Sequence, residues 1–475
     1  MKRINLFIIA IFSFALFSCS EDTMQKINED KNHSTDVAAR LIITDVINST
    51  SFLVTGADFA FYASAYVEYN VGVYNQLYNA EIRVSEPTSS TTYNNYWGTA
   101  YSNLLNLREI IRKCSPGGDE EANTTVLGMA QVLSAYNLAI LTDLFGDVPW
   151  TEALQPGEVW TPKLDKQEEI YVAVNQLLTD AISNLKKETI VPAIGTQDPI
   201  YGGSATKWLK FAYGLQARYA MRLSKVKPNY DAVIAAADNS FANASEEAFF
   251  KCSTIKNPFY LFFTDRDYFG ASQSLHDKLV ARNDPRDAVY FTAYPGTGDL
   301  IFAPNGTPQQ KQGYYGISAI TSPTAPIYLM SYHELEFLKA EAYARKGDLD
   351  NVKTHLKNAV VATFARVELT SDIAEAYYAS NIEPRMISQA EAIKEVMLQK
   401  YLGLYEIESV ETYNDIRRLK AMGEGSYIPL ANTKNFPLRY TYGADDVTTN
   451  VNVETAYGDG SYVYTENVWW AGGSR

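Results

Sequence analysis

The stretch HELEFLKAEAYARKGDLDNVKTHLKNAV, residues 333–360, limits the fold more than any other. Leu335, Leu338 and Ala342 recur at helical spacing, so one helix presents them along a single face. Gly347 then stops that helix and Asp348 starts another. Val352, Leu356 and Ala359 repeat the apolar stripe. So short a turn makes the two helices antiparallel, and the alanines let their axes come close. A pair of this kind cannot bury its apolar faces alone, so it stacks on further pairs into a scaffold that carries loops.

The layout is that of a tetratricopeptide hairpin, with Val352 where alanine is common. A weaker second copy, WLKFAYGLQARYAMRLSKVKPNYDAVIAAAD, predicts helices over Trp208–Leu223 and about Tyr230–Asn239. Leu104, Leu107 and Ile111 mark another helix. Leu133, Tyr136, Ile140 and Leu144 mark one that is apolar nearly all round and therefore deeply buried, ended by Gly146 and Pro149. Tyr171, Val174, Leu178, Ile182 and Leu185 follow, with Asp165 as the expected N-cap. Ile393, Val396, Met397, Tyr401 and Leu404 mark a late helix. Between about 250 and 325 the period breaks at Asn257-Pro258, Pro285, Pro295-Gly296, Asn305-Gly306 and Gly313. A loop this long usually has a task of its own. The tail from Gly423 reads as loop. The expected fold class is mainly α, a tetratricopeptide-like helical-repeat scaffold with long irregular loops and a few short β-hairpins. Strands are expected only in the 250–325 stretch and the tail.

The chain begins differently. Lys2 and Arg3 precede an apolar run from Leu6 to Phe17, shorter than the ~20 residues a spanning helix needs. That is the pattern of an export signal. Leu16-Phe17-Ser18-Cys19 resembles a bacterial lipobox, although Phe17 fills a slot that is usually smaller. On this reading residues 1–18 are removed, Cys19 carries lipid, residues 19–35 form a tether, and residues 36–475 form a single helical domain with a loop-rich insertion at about 250–325. Ser20-Glu21-Asp22 looks like the acidic tag that carries some Bacteroidetes lipoproteins to the outer face of the outer membrane. No second apolar run is expected to reach spanning length. Cys114 and Cys252 are the two remaining cysteines, either one bridge or two buried thiols.

The formal charge is −14, and removing Lys2 and Arg3 makes it −14 − 2 = −16. A chain so acidic is a poor partner for nucleic acid or an anionic leaflet. His33, His276, His333 and His355 show no metal-ligand spacing, and no Walker loop or G-x-S-x-G elbow occurs. No cofactor or metal is therefore expected. Asp143 and Glu152 flank a turn that does not fix their separation, so they make a poor catalytic pair. Arg286 is expected to bond backbone carbonyls, and Arg417 and Arg418 to pair with buried acids.

Tyrosine is the more telling residue, with 34 copies. Its ring joins an apolar face to a hydroxyl, which suits stacking against sugars. The candidate ligand-binding residues are Tyr74, Tyr78, Phe269, Tyr294, Tyr314 and Tyr315. Tyr74 and Tyr78 would share a face on a helix. Gly, Pro or Asp neighbours favour exposure of the other four. For any one of them, core packing is the competing reading.

Several phrases fall in one order along nearly the whole chain. They are YNNYWGTAYSNLLNLREII from Tyr93, LTDLFGDVPWTEAL from Leu141, DPIYGGSATKWLKFAYGLQARYAMRLS from Asp198 and RNDPRD from Arg282. FLKAEAYARKGD from Phe337, LQKYLGLYEIESVETYNDIRR from Leu398, NFPLRYTY from Asn435 and VWW at Val468–Trp470 complete the set. Together with the lipobox they resemble the SusD/RagB family of outer-membrane nutrient-binding lipoproteins. The resemblance implies a non-enzymatic, lipid-anchored protein facing the cell exterior. It also implies a TonB-dependent, SusC-like channel as partner and a glycan, or a peptide or other nutrient, as ligand. A hydrolase on a helical scaffold is the rival reading.

Overall fold

Helices with tight caps build nearly all of the chain. The computed structural model describes residues 36–83, 91–187, 189, 194–458 and 460–474. Cys19 and the expected signal and tether segments lie outside them. Cα proximity gathers Ala39–Arg475 into the larger compact unit of the chain.

Among the described residues the larger unit holds eighteen α-helices and six short strands. The first part runs α1 Ala39–Ser49, α2 Asp58–Tyr66, β1 Asn70–Gly72, α3 Asn75–Ile82, α4 Asn94–Cys114, α5 Thr124–Phe145, α6 Gln167–Leu185, α7 Ala205–Arg222 and α8 Tyr230–Asp238. The middle holds β2 Ala248–Phe250, α9 Pro258–Asp265, β3 Phe269–Ala271, α10 Gln273–Ala281, α11 Asp287–Tyr290, β4 Phe291–Thr292, β5 Ile317–Ser318 and β6 Ile327–Met330. Then follow α12 Tyr332–Lys346, α13 Leu349–Arg366, α14 Ser371–Tyr377, α15 Gln389–Gly403, α16 Ser409–Ala421, α17 Ala444–Thr449 and α18 Val451–Tyr457.

The helices form a row in which α4 packs on α5, α5 on α6, α6 on α7, α7 on α8, α8 on α12 and α12 on α13. The hairpin legible at residues 333–360 is α12–α13. Ser331 caps it by accepting the Glu334 N–H at 3.1 Å, and Gly347 closes α12 at φ 80°. Asp348 then caps α13, accepting the Asn351 N–H at 3.2 Å. The weaker copy is α7–α8. Helix α5 is long and apolar enough to cross a membrane, so the expectation that no second run reaches that length was too strict. It is buried within the protein because its apolar side chains point all round.

The turn after α5 shows why LFGDVPW has its form. Gly146 sits at φ 89°, and a Cβ there would meet the Arg439 guanidinium at 2.4 Å. Asp165 does not cap α6. Its carboxylate turns back to accept the N–H groups of Trp150 and Thr151 at 2.8 and 3.0 Å. Asp147 takes over the capping role, accepting the Gln167 N–H at 2.9 Å. Asp143 and Glu152 are separated accordingly. Asp143 is buried against Tyr171 and Arg222, and Glu152 is at the surface accepting the Lys163 N–H.

Buried ions tie the row together. Arg218 of α7 bonds Glu334 of α12 and Glu408 ahead of α16. Arg418 forks onto Glu341 at 2.6 and 2.7 Å and onto Asp415 at 2.9 Å. Arg417 instead donates to the carbonyls of Leu438 and Asp143 and stacks on Trp470, 4.8 Å from the ring centroid. Arg286 corrects its expectation too. Its partners are Asp284, Gln399 and Thr363 side chains, because the fork fits a carboxylate better than scattered carbonyls. Cys114 and Cys252 are free and buried.

Strand placement differs from expectation. The pairs are β1–β3, β2–β6 and β4–β5, all antiparallel, and none is a tight hairpin. β1 lies far ahead of the 250–325 stretch, and the described tail carries α17 and α18 rather than strands. Local alternation cannot foretell such pairings, since each partner is fixed by the scaffold between them.

Candidate functional site

The β1–β3 pair brings the two tyrosine-rich segments together. Asn70 faces Ala271, Val71 faces Gly270 and Gly72 faces Phe269. The ladder continues with the Val73 N–H donating to the Tyr268 carbonyl at 2.8 Å. A side chain on Gly72 would strike the Leu77 carbonyl oxygen at 1.9 Å, so glycine is required where the chain folds back into α3.

Tyr74 follows this turn and is 37% exposed. Its backbone is extended at the α3 N-cap, with φ −154° and ψ 151°. It therefore does not share a helical face with Tyr78, which lies within α3 and is half-buried. Tyr74 instead tilts against Tyr268, with ring centroids 5.6 Å apart. The Asn75 amide donates to the Tyr268 hydroxyl at 3.2 Å and fixes that ring.

The long loop supplies the facing residues. Tyr294 is half-buried beside Gly313, where a Cβ would come within 3.3 Å of its ring. Its hydroxyl bonds Asp267, and burial followed by that bond pushes its pKa up to about 12. Tyr294 is thus a neutral donor and acceptor at any ordinary pH. Tyr314 is half-buried, with the Lys311 ammonium 4.1 Å above its ring centroid. The Gln312 amide donates to the Arg266 carbonyl at 2.7 Å and ties this loop to the end of α9.

Phe269 and Tyr315 are corrections, since they are 3% and 4% exposed. Phe269 packs among Phe61, Phe259, Phe262 and Phe263. Tyr315 packs on Val71, Val73 and Ala303. Its hydroxyl accepts the Gln309 N–H at 2.9 Å. Glycine neighbours misled here. Gly270 leaves no room for a side chain, since a Cβ there would lie 2.8 Å from the Tyr315 Cβ, and a Cβ at Gly316 would meet Leu300 and the Thr292 carbonyl. Of the six candidates, Tyr74, Tyr294 and Tyr314 are linked through neighbours: Tyr74 packs on Tyr268, Tyr294 bonds the adjacent Asp267, and Gly313, next to Tyr314, lies against Tyr294. Among the described residues no direct ring contact joins Tyr74, Tyr78, Tyr294 and Tyr314 to one another. Sequence reasoning passed over Asn75, Asp267 and Lys311, whose only sign was their place beside aromatic residues.

Two buried glutamates anchor the backbone of neighbouring segments. Glu68, at φ 63°, accepts the N–H groups of Ala431 and Asn432 at 2.9 and 2.6 Å and the Ser274 hydroxyl. Glu81 accepts the Gly306 N–H at 2.6 Å. Burial pushes its carboxyl up to about 7 against the pull of Arg83. The Asn432 amide donates to the Glu81 carbonyl at 2.8 Å, and Lys434 bridges the carbonyls of Ile82 and Gly306. Chemically the face offers flat apolar rings rimmed by hydroxyl, amide, carboxylate and ammonium groups. It can hold a ring-shaped, hydroxyl-bearing molecule. Among the described residues no group of three His, Cys, Asp or Glu has the geometry to hold a metal.

Comparison with known proteins gives a consistent result. A family model described as starch-binding and associating with the outer membrane, SusD-like, matches residues 31–443. A SusD/RagB family protein of Bacteroides thetaiotaomicron VPI-5482 is 44% identical, with a TM-score of 0.82 over 93% of this chain and 100% of that one. A chitin-binding protein is 22% identical, with a TM-score of 0.73 over 92% of this chain and 99% of its own. A chitin-binding SusD homologue from Flavobacterium johnsoniae is 18% identical, with a TM-score of 0.73 over 91% and 98%. At those identities the last two share the fold alone. No curated protein matches.

Proposed function

We propose, from the premise that this chain belongs to the SusD-like family, that it captures oligosaccharide at the bacterial outer membrane and hands it to a transporter. The observation that carries this reading is that Tyr74, Tyr294 and Tyr314, none of them fully buried, gather around the neighbouring Asp267, Tyr268 and Gly313. Sugar rings stack on tyrosine while their hydroxyls meet Asn75, Asp267 and Lys311. Chitin binding by two proteins of the same fold supports a glycan as ligand. The partner is a TonB-dependent, SusC-like channel. Lipid on Cys19 and a tether over residues 19–35 hold the domain of residues 36–475 at the exterior face. The reaction is binding without bond cleavage.

The test replaces Tyr74 and Tyr314 together with alanine and titrates chito- and malto-oligosaccharides. Each stacked ring contributes about 1 kcal/mol beyond area burial, so affinity falls roughly tenfold to a hundredfold. The melting temperature barely moves, because Tyr74 is exposed and Tyr314 is half-open. Unchanged affinity moves the site elsewhere. Shortened oligosaccharides after incubation with the unaltered protein mean a hydrolase instead.

A further inference from the structure

A second concavity lies apart from the tyrosine face. It is a cleft of about 500 Å³, within the usual size range of small-ligand sites. The segment ahead of β2, the loop at 320–326, the end of α13 and residues 406–407 form its walls. None of Tyr74, Tyr78, Tyr294 or Tyr314 lines it.

Its polar groups close on one another only in part: Tyr328 bonds Glu247, and Thr321 and the Asn70 amide bond Glu406, while the groups around Arg366 and His333 stay open. Arg366, the last residue of α13, donates from one Nη to the Tyr405 carbonyl at 3.0 Å. Its Nε has no partner, and no ion pair among the described residues reaches the guanidinium. Yet Glu247 and Glu406 line the same cleft and feel its charge. An arginine beside two glutamates ordinarily forks onto one of them. Here a gap is kept between them. Glu406 is held at φ 64°, a conformation that strains a non-glycine residue and gathers at functional sites. The Tyr332 N–H fixes Glu247 at 3.0 Å. His333 also lines the cleft, is 3% exposed, and its Nε2 has no hydrogen-bond partner. A buried polar atom without a partner is costly, so this one is a place for a ligand or water atom.

We propose that this cleft binds one small, uncharged, polyhydroxylated molecule the size of a single sugar ring. The donor and acceptor count selects that class. Arg366 offers a donor, Glu247 and Glu406 offer acceptors, and Thr321 and Ser322 add hydroxyls. A hydroxyl accepts from the guanidinium and donates to a carboxylate through one oxygen, so it spans the gap. An ammonium would serve only the acceptors and an anion only the arginine. Burial, ahead of all other causes, raises both glutamates to about 7, so near neutral pH each is partly protonated and can accept from or donate to a ligand hydroxyl. Phe259, Pro326 and Tyr328 supply apolar contact for C–H faces.

The site stands independently of the tyrosine face, and its test separates the two. The full chain is titrated with glucose, N-acetylglucosamine and glycine, followed by saturation-transfer NMR and by the His333 ring signals. A hexose binds once per chain and shifts the His333 signals. Its binding survives the Tyr74→Ala, Tyr314→Ala double variant and weakens at least about tenfold in Arg366→Gln. Absence of hexose binding overturns the proposal. So do its loss in the tyrosine variant, its retention in Arg366→Gln, or displacement by glycine. Should Arg366→Gln fail to fold, Glu406→Gln replaces it, and unmoved His333 signals in the unaltered protein are decisive alone. Oligosaccharide binding lost only in the tyrosine variant leaves the main reading intact whatever the cleft does.

Discussion

Glu81→Gln isolates one buried carboxyl. In the folded chain burial lifts its pKa from 4.5 to about 7, despite Arg83 and the Gly306 N–H. A carboxyl raised in this way binds more protons folded than unfolded between those two values. Stability therefore falls as pH rises through that window. The span is 2.5 units from 4.5 to about 7, and at about 1.36 kcal/mol per unit the group removes roughly 3 kcal/mol by about pH 8. Glutamine keeps the shape and one acceptor for the Gly306 N–H but does not titrate. The difference in unfolding free energy between variant and parent should grow by roughly 3 kcal/mol in the variant's favour from about pH 4.5 to about pH 8. Urea titrations at several pH values measure it, with equal m-values as the control. Taking the difference cancels Asp58, Glu247 and Glu406, which rise to about 7 for the same reason. A constant offset across the range would refute the reasoning, because Glu81 would then ionise freely.

Arg418→Met should cost about 3–5 kcal/mol by urea denaturation, since it leaves Glu341 and Asp415 buried without their fork. Burial pushes Glu341 up, but Arg418 and Arg345 outweigh it and hold it down at about 2, so its contribution is present above 4.5 and lost as pH falls towards 2. Gly72→Ala should abolish soluble folded protein or the ordered β1–β3 pair, read by circular dichroism and tyrosine-ring NMR, because the new Cβ meets backbone at 1.9 Å. Burial raises the thiols of Cys114 and Cys252 to about 12 and about 11, so a disulfide reagent should label neither until denaturant is added.

Much of this fold is written locally. Leu335, Leu338, Gly347 and Asp348 specify a hairpin by period and capping alone, and α12–α13 follows them. Burial of α5 was equally readable from its composition. What escaped depends on distant partners. Asp165 looks like a cap until Val148 pairs with it and Trp150 and Thr151 claim its carboxylate. Phe269 and Tyr315 look exposed beside glycines, yet Gly270 is packed against the Tyr315 Cβ and both rings are buried. Tyr74, Tyr294 and Tyr314 were visible as residues, but the link between them runs through Tyr268, Asp267 and Gly313, which share no spacing with them. The cleft around Arg366 left no sequence signal, because Glu247, His333 and Glu406 come from separate elements with no common spacing.

The carboxylate of Glu68 has a consequence for the order in which the protein becomes competent. Its donors come from Ser274 and from Ala431 and Asn432, close to the end of the chain. Before residue 432 is made, this fully buried acid has lost its two backbone donors, and Glu81 lacks the Asn432 bond at its carbonyl. Contacts of such long sequence separation form late and slowly. The tail therefore works as a latch on Glu68, which also holds Ser274 just after β3. A chain shortened before residue 431 would leave Glu68 buried without its two backbone donors and Arg417 without Leu438 and Trp470.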